Sequence, residues 1–187
     1  YYFSNVTSSI KTNDNNTVNI IFNIDLGEKS KVSIIEFTGD KIFKDKTLRN
    51  IITTEENKFW KFLSGKKYLD ARRIKVDKNL LRNHYLNNGY YNVKINSSSV
   101  NFRDDGGFNL TYNINSGQKF FFNDLNLDIP ADYNKKNFEL IDKKLTGLKN
   151  QLYSFKKIKQ ILDDIDNLAL TKQYEFINAN IEESIIN

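Results

Sequence analysis

Apolar residues recur along this chain with two periods. Around residues 108–114 every second position is apolar: Phe108, Leu110, Tyr112 and Ile114. That spacing predicts a strand with one buried face. Residues 31–38 read the same way, with Ile35 and Phe37 on one side and Glu36 on the other, closed by Gly39-Asp40. Between these strands the period becomes helical. Leu48, Ile51 and Ile52 mark a short helix over 46–53, with Asp45 as its expected N-cap. Ile74, Leu81 and Tyr85 mark a long helix over 70–87, capped by Asp70 and ended by Asn88-Gly89. Gly89 suits the left-handed position after a helix. Residues 91–103 then return to a strand. Val93 and Ile95 share one parity and Val100 and Phe102 the other, which predicts a β-bulge near 97–99. Asp104-Asp105-Gly106-Gly107 is the hairpin turn before the final strand. The order is β-α-α-β-β.

The pattern is copied along the chain. Asn23-Ile24-Asp25-Leu26-Gly27-Glu28-Lys29 returns as Asn113-Ile114-Asn115-Ser116-Gly117-Gln118-Lys119, and Tyr1-Tyr2 foreshadows Tyr90-Tyr91. A repeat of this length is usually one folding unit in tandem. Residues 1–29 then correspond to the closing hairpin of one unit, with Val18, Ile20, Phe22 and Ile24 on one face. Residues 30–118 form a complete unit, and 119–187 a unit lacking its last strand. In that last unit strands are expected at 120–129 and 173–182. Helices are expected at 138–148 and 154–170, with Lys172-Gln173 where the complete unit has Gly89-Tyr90. The repeat phase and the absence of Met lead us to expect a chain that extends beyond this sequence at both ends. Short links at 27–30 and 117–119 predict semi-rigid junctions.

Such a unit makes a three-stranded sheet with both helices on one face. The two-helix crossover brings the first strand beside the third and leaves the second at an edge. The candidate edge comprises Asn92, Val93, Lys94, Ile95, Asn96, Ser97, Ser98, Ser99 and Val100. An edge offers unpaired backbone groups to an extended client. A polar, bulged edge can equally be a protected one that binds nothing. A second feature is the insertion at 57–67, where Phe59, Trp60, Phe62 and Leu63 stand among lysines. It either tucks under the long helix or forms an exposed partner contact.

Composition narrows the function. The formal net charge is +5, but Lys and Arg are interleaved with Asp and Glu. A basic nucleic-acid-binding repeat, stacking bases on Tyr and Phe, is the alternative from another class. With no Cys, disulfides and thiolate metal sites are excluded. The single His, His84, lies inside the long helix, and the pairs Asp104/Asp105, Asp163/Asp164 and Glu182/Glu183 have no cleft to converge in. No enzyme activity, metal or cofactor is expected. The apolar runs are far shorter than a membrane-spanning helix needs.

The ordered set Phe37-Thr38-Gly39-Asp40, Phe43, Leu48, then Leu86-Asn87-Asn88-Gly89-Tyr90-Tyr91-Asn92-Val93, resembles the polypeptide-transport-associated (POTRA) repeat of outer-membrane protein assembly factors. So do the Asn113-Ile114-Asn115-Ser116-Gly117 strand end and the insertion Lys58-Phe59-Trp60. The resemblance implies an α+β fold of tandem POTRA repeats, each a mixed three-stranded sheet covered on one face by two antiparallel helices. It also implies a periplasmic arm that precedes a membrane β-barrel, receives unfolded outer-membrane proteins by β-augmentation and docks accessory lipoproteins, without a catalytic residue. A related two-partner secretion or translocation transporter is the runner-up within this class.

Overall fold

The computed structural model describes residues 4–27, 29–61, 63–104, 106–174 and 177–186, with Lys61 and Ser97, Ser98 and Ser99 described by backbone alone. Tyr1, Tyr2, Glu28, Phe62 and Asp105, named above, lie outside the described residues. The chain divides into two compact units. One is Tyr1–Leu81 with Ile95–Asn115, the other Arg82–Lys94 with Ser116–Asn187.

The first unit opens with an antiparallel hairpin, β1 (Asn5–Thr12) and β2 (Val18–Asp25). Val18, Ile20, Phe22 and Ile24 do share a face of β2, and they are 54–63% exposed. Strand β3 (Lys31–Asp40), helix α1 (Asp45–Ile51), helix α2 (Ala71–Leu86), strand β4 (Lys94–Phe102) and strand β5 (Gly107–Asn115) follow in the expected order. The sheet order is β3-β5-β4, with β3 parallel to β5. Phe108, Leu110, Tyr112 and Ile114 of the middle strand are all 0% exposed. Burying each such side chain contributes about 1.5–3 kcal/mol.

Local chemistry sets the boundaries. Asp70 caps α2, accepting the amides of Arg72 (2.8 Å) and Arg73 (3.2 Å). The Arg73 amide above all holds its carboxyl below the usual carboxylate range. Asp45, expected as the cap of α1, is instead its first residue. Lys44 occupies the cap position without a side-chain bond, and Asp45 pairs with Lys41 at 2.5 Å. At the far end of α2, Gly89 has φ +90°, its amide meets the Leu86 carbonyl (3.4 Å), and the Tyr90 amide meets the Tyr85 carbonyl (3.0 Å). This is a Schellman closure with its accompanying apolar contact, Tyr85 against Tyr90 at 5.7 Å. The predicted parity shift in β4 falls on side chains outside the described set. The irregularity that the pairing does show is in β3, between Val32 and Ile34. There the Ser33 hydroxyl occupies the space that a Cβ on Gly107 would take.

The second unit departs from expectation. A 3₁₀ turn, Lys135–Phe138, leads into α3 (Glu139–Thr146), and α4 spans Phe155–Lys172. Phe138, Ile141, Ile161 and Ile165 form its core. No strand occurs at 120–129 or among the described residues of 173–182. The first unit supplies the reason. With the order β3-β5-β4, the first and second strands never touch, and each pairs only with the third. Among the described residues the second unit has no third strand. Among the described residues its first segment forms one β-bridge, Phe121–Leu152, the counterpart of Lys31–Tyr68 in the first unit. A cavity of about 320 Å³ is lined by Phe122, Leu125, Ile158, Ile161, Ile165 and Ile181.

The left-handed cap position in this unit is also one residue later than the sequence suggested. Gln173, at φ +55°, takes the left-handed position, its amide reaching the Leu170 carbonyl and the Tyr174 amide the Ala169 carbonyl. Gln173-Tyr174, not Lys172-Gln173, therefore matches Gly89-Tyr90.

One buried carboxylate ties the first unit together. Asp77 is 0% exposed. Its Oδ1 accepts the Thr53 amide (2.6 Å) and hydroxyl (2.7 Å). Its Oδ2 accepts the Thr54 amide (3.2 Å), the Thr54 hydroxyl and the Tyr112 hydroxyl (3.0 Å). Burial, then the facing carboxylate, pushes the Tyr112 phenol far above its usual pKa. Removing one partner from such a network strands the others. Asp77→Ala is expected to cost about 3 kcal/mol, read from urea unfolding. A loss under about 1 kcal/mol would show that these bonds do not join α2 to α1 and β5.

Candidate functional site

The three-stranded sheet has two edges, and they are built differently. The outer side of β3 is closed by neighbouring groups. The Ser30 carbonyl, just before β3, accepts the Leu69 amide (2.9 Å), and the Val32 carbonyl accepts the Asn57 amide (2.7 Å). The Ile35 amide donates to Glu56 (3.1 Å), and the Ile35 carbonyl accepts Arg49 (2.7 Å). The Phe37 carbonyl accepts the Lys41 ammonium (2.8 Å). Glu56 and Arg49 also pair with each other at 3.4 Å. A strand cannot add here without breaking these bonds.

The opposite edge is β4. Among the described residues no strand pairs with its outer side. Lys94 and Asn96 are exposed, while Ile95 and Val100 are half-buried. Two residues of the predicted site lie outside the strand. Asn92 sits in a turn, and Val93 is buried, its amide bonded to the Tyr90 carbonyl. The turn that closes α2 uses up this backbone before the strand starts. Ser97, Ser98 and Ser99 are within β4 by backbone.

The insertion at 57–67 projects Phe59, Trp60 and Leu63 outward. Phe59 is 87% exposed, Trp60 60% and Leu63 87%. Two 3₁₀ turns, Phe59–Lys61 and Gly65–Lys67, shape it. In the second unit the same stretch is the short link 147–151. His84 is half-buried in α2, and burial lowers its pKa. Among the described residues no group of three or more His, Cys, Asp or Glu converges to hold a metal ion, and no helix is long and apolar enough to cross a membrane.

Residues 30–117 match the family model described as "POTRA: Surface antigen variable number repeat". Curated relatives carry the name outer membrane protein assembly factor BamA. That of Neisseria meningitidis serogroup B is 21% identical, covering 95% of this chain and 22% of the relative. That of Buchnera aphidicola is 26% identical, covering 90% of this chain and 30% of the relative. A solved structure, the Haemophilus influenzae BamA POTRA3-5 crystal structure, superposes with a TM-score of 0.57 at 13% identity. That overlap covers 89% of this chain and 62% of the other. Residues 30–117 are a POTRA repeat. The chain thus spans less than a third of these curated relatives.

In this POTRA repeat the closed edge at β3 and the open edge at β4 follow from one topology. Sequence reasoning found the open edge from strand order. It missed the closure of β3, although Arg49 and Glu56 are both charged residues set beside apolar stretches, a weak sign of backbone capping. Glu56→Ala removes the acceptor of a buried amide and one partner of Arg49. It is expected to lower stability by about 1–3 kcal/mol in urea unfolding, and a neutral result would mean that β3 is closed by other means.

Proposed function

We propose that this chain belongs to the periplasmic arm of an outer-membrane protein assembly factor, at the periplasmic face of the outer membrane. Residues 1–29 are the closing hairpin of one repeat, 30–118 a complete repeat, and 119–187 a repeat without its last strand. On this reading the apolar face of β2, exposed here, is covered by helices of the preceding repeat. The arm works ahead of the protein's own membrane β-barrel, receiving unfolded outer-membrane proteins and docking accessory lipoproteins.

The observation that carries this reading is the contrast between the two edges of the sheet. One edge is closed by Arg49, Glu56, Lys41 and the insertion backbone. The other, at β4, is left to pair. A client adding as a strand there gains backbone hydrogen bonds that do not depend on its side chains. That suits a machine whose clients share β-structure but not sequence. A polar centre at Asn96 and the serines after it keeps such pairing weak and reversible.

The test is an NMR titration with an extended peptide from an outer-membrane β-strand. Shifts are expected across 94–102, persisting at high salt, and retained with a peptide of shuffled sequence but equal alternation. N-methylation of alternate peptide amides is expected to abolish them. No shifts at millimolar peptide, or shifts that survive N-methylation, would overturn strand addition at β4.

A further inference from the structure

The insertion leaves an apolar surface that neither the sheet nor the client reading uses. From Asn57 to Leu63 the sequence holds Phe59, Trp60, Phe62 and Leu63 with Lys58 and Lys61, and no acid. Large aromatic residues in a loop between two helices ordinarily turn inward, where each removes much apolar area from water. Here Phe59 and Leu63 have the highest exposure of the large apolar side chains among the described residues, and Trp60 is also exposed. At such exposure they project from the surface and do not line a groove.

The projection is held in place. The Glu55 amide meets the Lys66 carbonyl (3.1 Å), and the Asn57 amide meets that of Val32 (2.7 Å). The Ser64 hydroxyl caps the second turn through the Lys66 amide (3.2 Å). Arg73 reaches the carbonyls of Gly65 (3.2 Å) and Tyr68 (3.3 Å). Phe59 and Trp60 meet edge to face at 4.6 Å. Charge is sorted across the loop. Glu56 turns inward to the Ile35 amide and Arg49, and Glu55 accepts from Ser64 (3.4 Å). Lys58 lies over the Trp60 ring at 5.7 Å and also pairs with Glu56 at 3.5 Å, and Lys66 is exposed. The tip is apolar, with the ammonium groups of Lys58 and Lys66 beside it.

We infer that Phe59, Trp60 and Leu63 form a membrane-surface anchor that seats in the headgroup region of an anionic phospholipid bilayer. A fluid interface accepts projecting rings without needing a matching pocket. Trp is favoured at that depth, and lysines beside it meet lipid phosphate. A protein partner would have to supply a cavity for two exposed rings and an acidic rim. A bilayer supplies both for any orientation of the loop. The contact is peripheral and shallow, and salt weakens its electrostatic part.

Trp60 is the chain's single tryptophan, so its emission reports this loop alone. The chain is titrated with vesicles of phosphatidylcholine containing phosphatidylglycerol, and with phosphatidylcholine alone. The expected result is a blue shift with the anionic vesicles, quenching by brominated acyl chains, and a reduced shift in neutral vesicles or high salt. The double variant Phe59→Ser, Leu63→Ser, with unchanged far-UV circular dichroism, is expected to lose about tenfold in vesicle affinity by co-sedimentation. No shift with either vesicle overturns the inference. So does equal binding by the double variant. A shift that follows protein concentration without vesicles assigns the surface to a second copy of the chain and overturns it as well. Any of these outcomes leaves the strand-capture proposal at β4 untouched.

Discussion

Everything in the complete repeat depends on its last strand lying in the middle. β5 pairs with β3 on one side and neighbours β4 on the other, and its four inward side chains are fully buried. Tyr112 of the same strand reaches Asp77 on α2, and Asp77 holds Thr53 and Thr54 beyond α1. A strand contributed last in sequence thus joins elements that precede it. The second unit displays the converse. Its two helices pack around Phe138 and Ile161, yet its strand-like segments stay irregular, since neither can pair with the other. Long-range pairing carries the closure entropy of the whole crossover, and only the middle strand repays it on both sides.

Much of this was legible in the sequence because the relevant signals are local. Alternation in β5, the helical stripe of α2, the Asp70 cap and the Gly89 stop each depend on a few neighbouring residues. The edge position of β4 followed from element order alone. What the sequence did not reveal is set by contacts distant along the chain. Asp45 looks like a cap, yet Lys41 claims it and Lys44 stands at the helix start. Gln173 adopts a left-handed conformation that its residue type disfavours, because Tyr174 is drawn onto Phe138 and Tyr133, ring to ring. The insertion was ambiguous for a different reason: composition cannot tell a buried aromatic from a displayed one, and it is the exposure of Phe59, Trp60 and Leu63 that separates the two.

The two edges of the sheet give the repeat a direction. Closing β3 occupies Arg49, Glu56, Lys41 and the ends of the insertion, so the loop that displays Trp60 also protects a strand from unwanted pairing. Protection of one edge and openness of the other is what a module needs if strands are to join it at one place only. The apolar face of β2 adds scale to this picture. The same alternation that is buried in β5 stands in solvent there, so the covering helices, and not the pattern itself, make a core.

The most direct measurement is residue-resolved hydrogen exchange of the backbone amides. The account predicts the slowest exchange in β5, strong protection at Ile35 despite its outer position, and fast exchange at alternate amides of β4 between Lys94 and Phe102. Uniform protection along β4, equal to that of β5, would contradict an open edge there and with it the central claim.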